Sequence, residues 1–220
     1  MTNRAGGNVL PASEVKITLG DEQIELHVGM EFGLGGDQWP AATCFCHLIT
    51  NRKSFYEEKV FSKDCRVLEL GSGTGLGGIA VAKLFPGPRS IVISDLDQYT
   101  ALIDRNIKLN CVEKQCTAQV IDWLNPPAQH TTYDVVLALE CVYREDLYGP
   151  LLQMLKVSAH ANTIIFLGLT RLFAQARFFT LLEEQGFSYK KIPHIAIPVF
   201  TNATNDTAIF IVWRVAEGSL

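Results

Sequence analysis

The segment Glu69-Leu70-Gly71-Ser72-Gly73-Thr74-Gly75 places a glycine at every second position from 71 to 75, with an acid just before the run. Glycine tolerates a left-handed backbone and lets a ligand approach the main chain closely, so this is a candidate nucleoside-binding turn. A helix beginning after it would offer unpaired N–H groups at its first turn. Spacing separates the ligand classes. A dinucleotide turn reads G-x-G-x-x-G, and Leu76 stands where its third glycine belongs. A P-loop reads G-x-x-x-x-G-K-[ST], and no lysine follows. The charge of Glu69 would repel a pyrophosphate but attract an amino group. S-adenosylmethionine carries a positive sulfonium and an α-ammonium and no phosphate, so an acidic glycine turn fits it better.

Two further positions sharpen that expectation. Asp95 lies about 20 residues past the glycines, where a ribose-binding acid is expected, with Asp97 as the competing candidate. Asp122-Trp123 could bracket an adenine, one by hydrogen bonding and the other by stacking. The structural alternatives are helix N-capping for Asp95 and core packing for Trp123.

The elements that must hold these residues are read from hydrophobic periodicity. Residues 15–19 and 24–28 alternate around Gly20-Asp21-Glu22 and predict a β-hairpin. Residues 29–36 form a glycine-rich loop, after which Trp39-Pro40 opens a helix through Leu48. From Cys65 the pattern becomes strand, helix, strand, helix. Strands are expected at 66–70, 90–94, 119–121, 134–139 and 163–169. Helices are expected at 76–85, 99–109, 146–157 and 173–185. Nearly continuous apolar strands such as Val135–Leu139 indicate a sheet covered on both faces. Two late strands, 188–192 and 207–215, lack an intervening helix and predict an antiparallel ending. The fold class is therefore α/β: a doubly wound, mostly parallel, Rossmann-like sheet with an N-terminal hairpin extension. In such sheets ligands bind beyond the carboxyl ends of the strands, and the turn, Asp95 and Asp122-Trp123 fall at three successive ends.

Bulk properties narrow the classes. The 220 residues suit one domain over 15–220, after a stretch at 1–14 that reads as disordered. With 48% hydrophobic and 19% charged residues, the chain can build a buried core. A net charge of -4 gives no general attraction to nucleic acid. The first residues lack the apolar core of a signal peptide, and no apolar run approaches a membrane span, so a cytoplasmic protein is expected. Cys44, Cys46, Cys65, Cys111, Cys116 and Cys141 include no C-x-x-C pair and read as small buried hydrophobes rather than a metal site. The five histidines are scattered without ligand spacing. Asn125-Pro126-Pro127 has the look of an adenine-N6 methyltransferase signature, but it follows the third strand and ends in Ala128, so it reads as a turn.

The stretch VLELGSGTGLGGIAVA, followed by SDLD, IDW and ALECVY, resembles the seven-β-strand methyltransferases. It is most similar to the family-16 group that methylates non-histone proteins, and within it to the fungal lysine methyltransferases of translation elongation factor 1A. The resemblance covers about Trp39 to Leu155. It implies a seven-stranded sheet and S-adenosylmethionine as cofactor, contacted by Trp39, Glu69, Gly71, Ser72, Gly73, Asp95, Trp123 and Leu139. It also implies a monomer acting on a protein, elongation factor 1A. The family's D-x-x-Y motif is represented by Glu140-Cys141-Val142-Tyr143, with Glu in place of the usual Asp. That implies Glu140 and Tyr143 on the acceptor side.

The chemistry demanded is an in-line displacement on a sulfonium by a neutral amine. Free lysine has a pKa near 10.4, so the site must remove a proton or desolvate the ammonium. Glu140 could orient the ammonium, and Tyr143 could line the channel for the alkyl stem. Against these stand capping of the next helix by Glu140 and simple packing of Tyr143. A protein-histidine enzyme, a small-molecule methyltransferase, a non-catalytic binding module and a nicotinamide oxidoreductase remain the competing readings.

Overall fold

A computed structural model describes residues 13–127, 131–170, 175–193 and 207–215. The hairpin pairs β1 (Ser13–Leu19) with β2 (Glu22–Val28), Ser13 opposite Val28. It begins two residues earlier than the alternation suggested, so Ser13 and Glu14 belong to the strand; residues 1–12 lie outside the described residues. Between the hairpin and α1 (Pro40–Asn51), the segment 29–36 makes two short helical turns. Pro40 suits the first helical position, where its missing N–H costs nothing. A second helix, α2 (Lys53–Lys59), follows at once and is buried through Tyr56.

The alternation then runs β3 (Arg66–Leu70), α3 (Leu76–Leu84), β4 (Ser90–Asp95), α4 (Asp97–Leu109), β5 (Cys116–Val120), β6 (Tyr133–Leu139), α5 (Tyr148–Ser158) and β7 (Ala159–Leu169). It closes with α6 (Ala176–Glu184), β8 (Phe187–Lys191) and β9 (Ala208–Arg214). Residues 171–174, the expected start of the last helix, lie outside the described residues. The sheet order is β5-β4-β3-β6-β7-β9-β8. All neighbours are parallel except the two pairs made by β9, which runs against β7 and β8 as the missing crossover helix predicted.

The sheet separates two cores. Val67 of β3 faces a core built with the hairpin, α1, α3 and α4, and Leu68 and Leu70 face a core built with α5 and α6. α3 lies unusually close to the sheet. A Cβ on Gly78 would stand 2.6 Å from Ile93 Cγ1 of β4, so only glycine permits this approach. Gly77 and Gly78 thus perform the helix-packing task that a dinucleotide turn gives to its third glycine, displaced past Leu76.

The chain fills β3, β4 and β5 outward in one direction and then crosses to β6 on the other side of β3. The carboxyl ends of β3 and β6 therefore flank the reversal point, the place where doubly wound sheets open a crevice.

Candidate nucleoside-binding and acceptor site

The glycine turn leaves β3 at this reversal. Gly71, Gly73 and Gly75 all have left-handed backbones, with φ of +58°, +55° and +81°. The turn is fastened from several sides. Ser72 N–H donates to Ser94 O of β4 at 3.0 Å, and Gly75 N–H donates back to Ser72 O at 2.9 Å. Gly73 N–H donates to Asp95 Oδ2 at 2.7 Å, and Leu96 N–H to Asp95 Oδ1 at 2.7 Å. An ionised carboxylate offers about four acceptor positions, so Asp95 keeps two for a ligand diol. Burial pushes its pKa up, opposed by the Gly73 and Leu96 amides.

Glu69 is placed beneath the turn. Its side chain is buried, and Oε2 accepts from Gly78 N–H of α3 at 2.8 Å. Burial pushes its pKa up to about 8, against the favourable Gly77 and Gly78 amides. It acts here as a strut between β3 and the start of α3. Leu139 is likewise buried and packs between Gly77 and Gly168.

Other expected residues line the opening. Trp123 lies over Gly71, its ring 2.9 Å from where a Cβ would stand, with Cys141 Sγ at the same distance. Asp122 accepts from Asn125 Nδ2 and Leu124 N–H, which lowers its pKa; the turn closes over 122–125, so of the expected 125–127 turn only Asn125 takes part. Trp39 precedes α1 and is 40% exposed, with Nε1 donating to Leu34 O at 2.9 Å. That bond holds the 29–36 segment over the glycine turn, where Gly35 O would be 2.6 Å from a Cβ on Gly73. Tyr99 of α4 supports the same segment by accepting from Gly35 N–H at 3.3 Å.

Across the reversal, Glu140 follows β6 with φ of +69°, a conformation non-glycine residues adopt at a cost. Its carboxylate explains why the conformation holds. Oε2 accepts from Ala41 N–H of α1 at 3.1 Å, and Oε1 accepts from Thr170 N–H at 2.8 Å and from Thr170 Oγ1. Glu140 therefore caps a helix, but it is α1, about 100 residues away in sequence, and not the next one. Tyr143 stands free at the rim, 58% exposed.

The sequence did not point to Tyr99, Asn106, Thr170 or the Gly35 carbonyl as parts of this region. For Asn106 a signal existed: it and Asn110 sit one turn apart on a helix, amid buried apolar positions. Among the described residues there is no group of three or more His, Cys, Asp or Glu side chains able to hold a metal ion. Cys44, Cys46, Cys65, Cys116 and Cys141 are buried, and Cys111 is exposed.

The residues fit a sulfonium nucleoside. Ser72 Oγ is buried without a hydrogen-bond partner beside the crevice, where unpaired hydroxyls are rare. No lysine or arginine belongs to the turn, and Asp95 is bonded directly to it.

The architecture is that of a class I methyltransferase, and solved structures share it. Ribosomal protein L11 methylase from Lactobacillus delbrueckii superposes with a TM-score of 0.60 at 17% identity, over 82% of this chain and 81% of that one. The chain belongs to the lysine methyltransferase family, whose model matches residues 19–185. Protein-lysine N-methyltransferase EFM6 of Saccharomyces cerevisiae is 32% identical over 67% of this chain and 63% of its own length. EEF1A lysine methyltransferase 3 of Xenopus tropicalis is 32% identical over 66% of this chain and 62% of its own. The chain thus spans a little under two thirds of these two relatives.

Proposed function

We propose that the protein is an S-adenosylmethionine-dependent protein-lysine N-methyltransferase acting on translation elongation factor 1A, as a monomer in the cytoplasm. The observation that carries the reading is the convergence, at one sheet reversal, of a glycine turn, an acid with spare acceptor positions and an exposed aromatic rim. Family membership and the names of both relatives support a lysine acceptor, and the name of the Xenopus relative supports elongation factor 1A as its bearer. The rim supports a macromolecular substrate. Leu34, Trp39, Leu96, Leu124 and Tyr143, all large and exposed, follow or precede elements that end at this edge. Apolar exposure of that kind marks a docking surface rather than a sealed small-molecule cavity.

The cofactor would supply an electrophilic methyl group on a positive sulfur. Asp95 would accept from the ribose hydroxyls with its spare positions, Ser72 Oγ would gain the partner it lacks, and Trp123 would cover the base. Glu140 has three of its roughly four acceptor positions committed, which leaves one that an incoming amine would use. It would orient that group first; a nearby carboxylate also raises a lysine pKa, so proton loss must come with desolvation on docking. Holding the nucleophile in line provides much of the acceleration.

The test is mass spectrometry of elongation factor 1A from cells with and without this gene, paired with transfer of labelled methyl groups into cell extract. One lysine of the factor should lose its methylation in the deficient cells. Unchanged lysines there, with label only on RNA or small molecules, would overturn the reading.

A further inference from the structure

Asn106 is fully buried on α4 and makes contacts in two regions that are distant in sequence. Its Oδ1 accepts from His27 N–H of β2 at 2.7 Å. Its Nδ2 donates to His27 O at 3.2 Å and to Thr74 O in the glycine turn at 2.9 Å. An amide nitrogen has two hydrogens, so both are spent. Asn110, one helical turn on, repeats half of this. It accepts from Glu25 N–H at 3.0 Å and donates to Glu25 O at 2.6 Å, but its other donation goes to Asn106 O within its own helix. Glu25 and His27 are alternate residues of β2. Two side-chain amides thus pair with the strand edge facing α4, as a neighbouring strand would.

The difference between the two asparagines is the bond to Thr74. Thr74 O and Gly75 N belong to one peptide plane. The carbonyl end of that plane is held by Asn106, and the N–H end by Ser72 O at 2.9 Å. The plane turns about Thr74 ψ and Gly75 φ, and Gly75 is left-handed, so its Gly75 side offers little steric resistance to rotation. Freed from Asn106, Thr74 would keep a buried carbonyl without a partner and the turn would lose its far anchor.

We propose that Asn106 is a positioning residue for the cofactor turn, and that through it docking of the N-terminal hairpin sets the conformation of Ser72–Gly75. The inference rests on the reading of this turn as an S-adenosylmethionine site. Asn106→Asp keeps the acceptor for His27 N–H and removes both donations. Asn110→Ala frees only the Glu25 end of the hairpin and leaves the His27–Asn106–Thr74 link in place.

The experiment measures S-adenosylmethionine binding to the full chain by calorimetry, with amide hydrogen exchange alongside. Asn106→Asp should weaken binding at least tenfold and speed exchange at Gly75. Asn110→Ala should speed exchange at Glu25 and leave affinity within twofold. Equal weakening by both variants, or no weakening by Asn106→Asp, overturns the proposal. If Asn106→Asp does not fold, native-state exchange of the unaltered protein decides. The amides of His27 and Gly75 should then share one opening energy, and separate opening energies overturn the link. An unaltered protein that binds no S-adenosylmethionine defeats the cofactor reading instead, and the exchange measurement still judges the Asn106 link.

Discussion

The two halves of the sheet meet at one crevice but are built by different means. On the β3–β4–β5 side, ligand-facing geometry comes from main chain: three left-handed glycines, fastened by Ser94 O, Asp95 and Asn106. On the β6–β7 side it comes from side chains. There Glu140, itself left-handed, ties β6 to α1 and to Thr170. A backbone site tolerates no added atoms but asks little of side-chain chemistry. A side-chain site that also bolts the scaffold together cannot change function without changing stability.

The largest effect is expected where the backbone is tightest. Gly73→Val adds a Cβ that would lie 2.6 Å from Gly35 O, at a φ of +55° that a β-branched residue resists. Binding of S-adenosylmethionine in calorimetry should fall by about 100-fold or more, matching a loss of roughly 3 kcal/mol. Retained affinity would mean that the turn yields, and the contrast between the halves would fail.

Glu140→Ala should act mainly on stability. Three hydrogen bonds worth about 1 kcal/mol each are lost, one of them the cap of α1, so urea unfolding should show a loss of about 3 kcal/mol. Glu140→Gly loses the same bonds but relieves the left-handed strain, and should recover about 1 kcal/mol of that. An alanine variant with unchanged stability and no turnover would make Glu140 purely catalytic and break the comparison.

The same contrast governs what was legible in the sequence. The β3 turn was readable because glycine spacing and an acid at the end of β4 are local patterns with few physical uses. The doubly wound class followed from alternation, and the antiparallel ending from a missing helix. Glu140's role was half legible: capping was foreseen, but of the next helix, because its partners Ala41 and Thr170 are brought near only by the fold. Glu69 reads as a free charge beside a ligand, and only burial against Gly78 reveals the strut. α2 was missed because seven polar-rich residues around one buried Tyr56 carry little periodicity.

Glu69 also makes a smaller, pH-dependent prediction. Its folded pKa of about 8 exceeds the unfolded value near 4.5, so the folded state holds a proton the unfolded chain has already lost. The stability advantage is complete below the unfolded pKa and declines as pH rises until the folded pKa is passed. Between pH 7 and pH 8 this should cost about 1 kcal/mol in urea unfolding. Glu69→Gln should flatten the slope, and an equally steep slope in that variant would show that another buried group carries it.

Tyr143 should show the smallest effect on stability, because it follows β6 on the same side as Glu140 yet is exposed. Being 58% exposed, it should tolerate Tyr143→Ala within about 0.5 kcal/mol of the unaltered protein. Its part would be the aromatic wall of the channel, a contact worth about 1 kcal/mol. Tyr143→Ala should therefore raise KM for the protein substrate by about fivefold to tenfold, while S-adenosylmethionine affinity stays constant. Tyr143→Phe keeps the wall and should stay within about threefold of the unaltered enzyme, less than a full hydrogen bond would cost. Equal damage in the two variants would move the role from the ring to the hydroxyl. The acceptor half would then contain, at its rim, one side chain chosen for chemistry alone, and the coupling of function to stability argued from Glu140 would stop at Glu140.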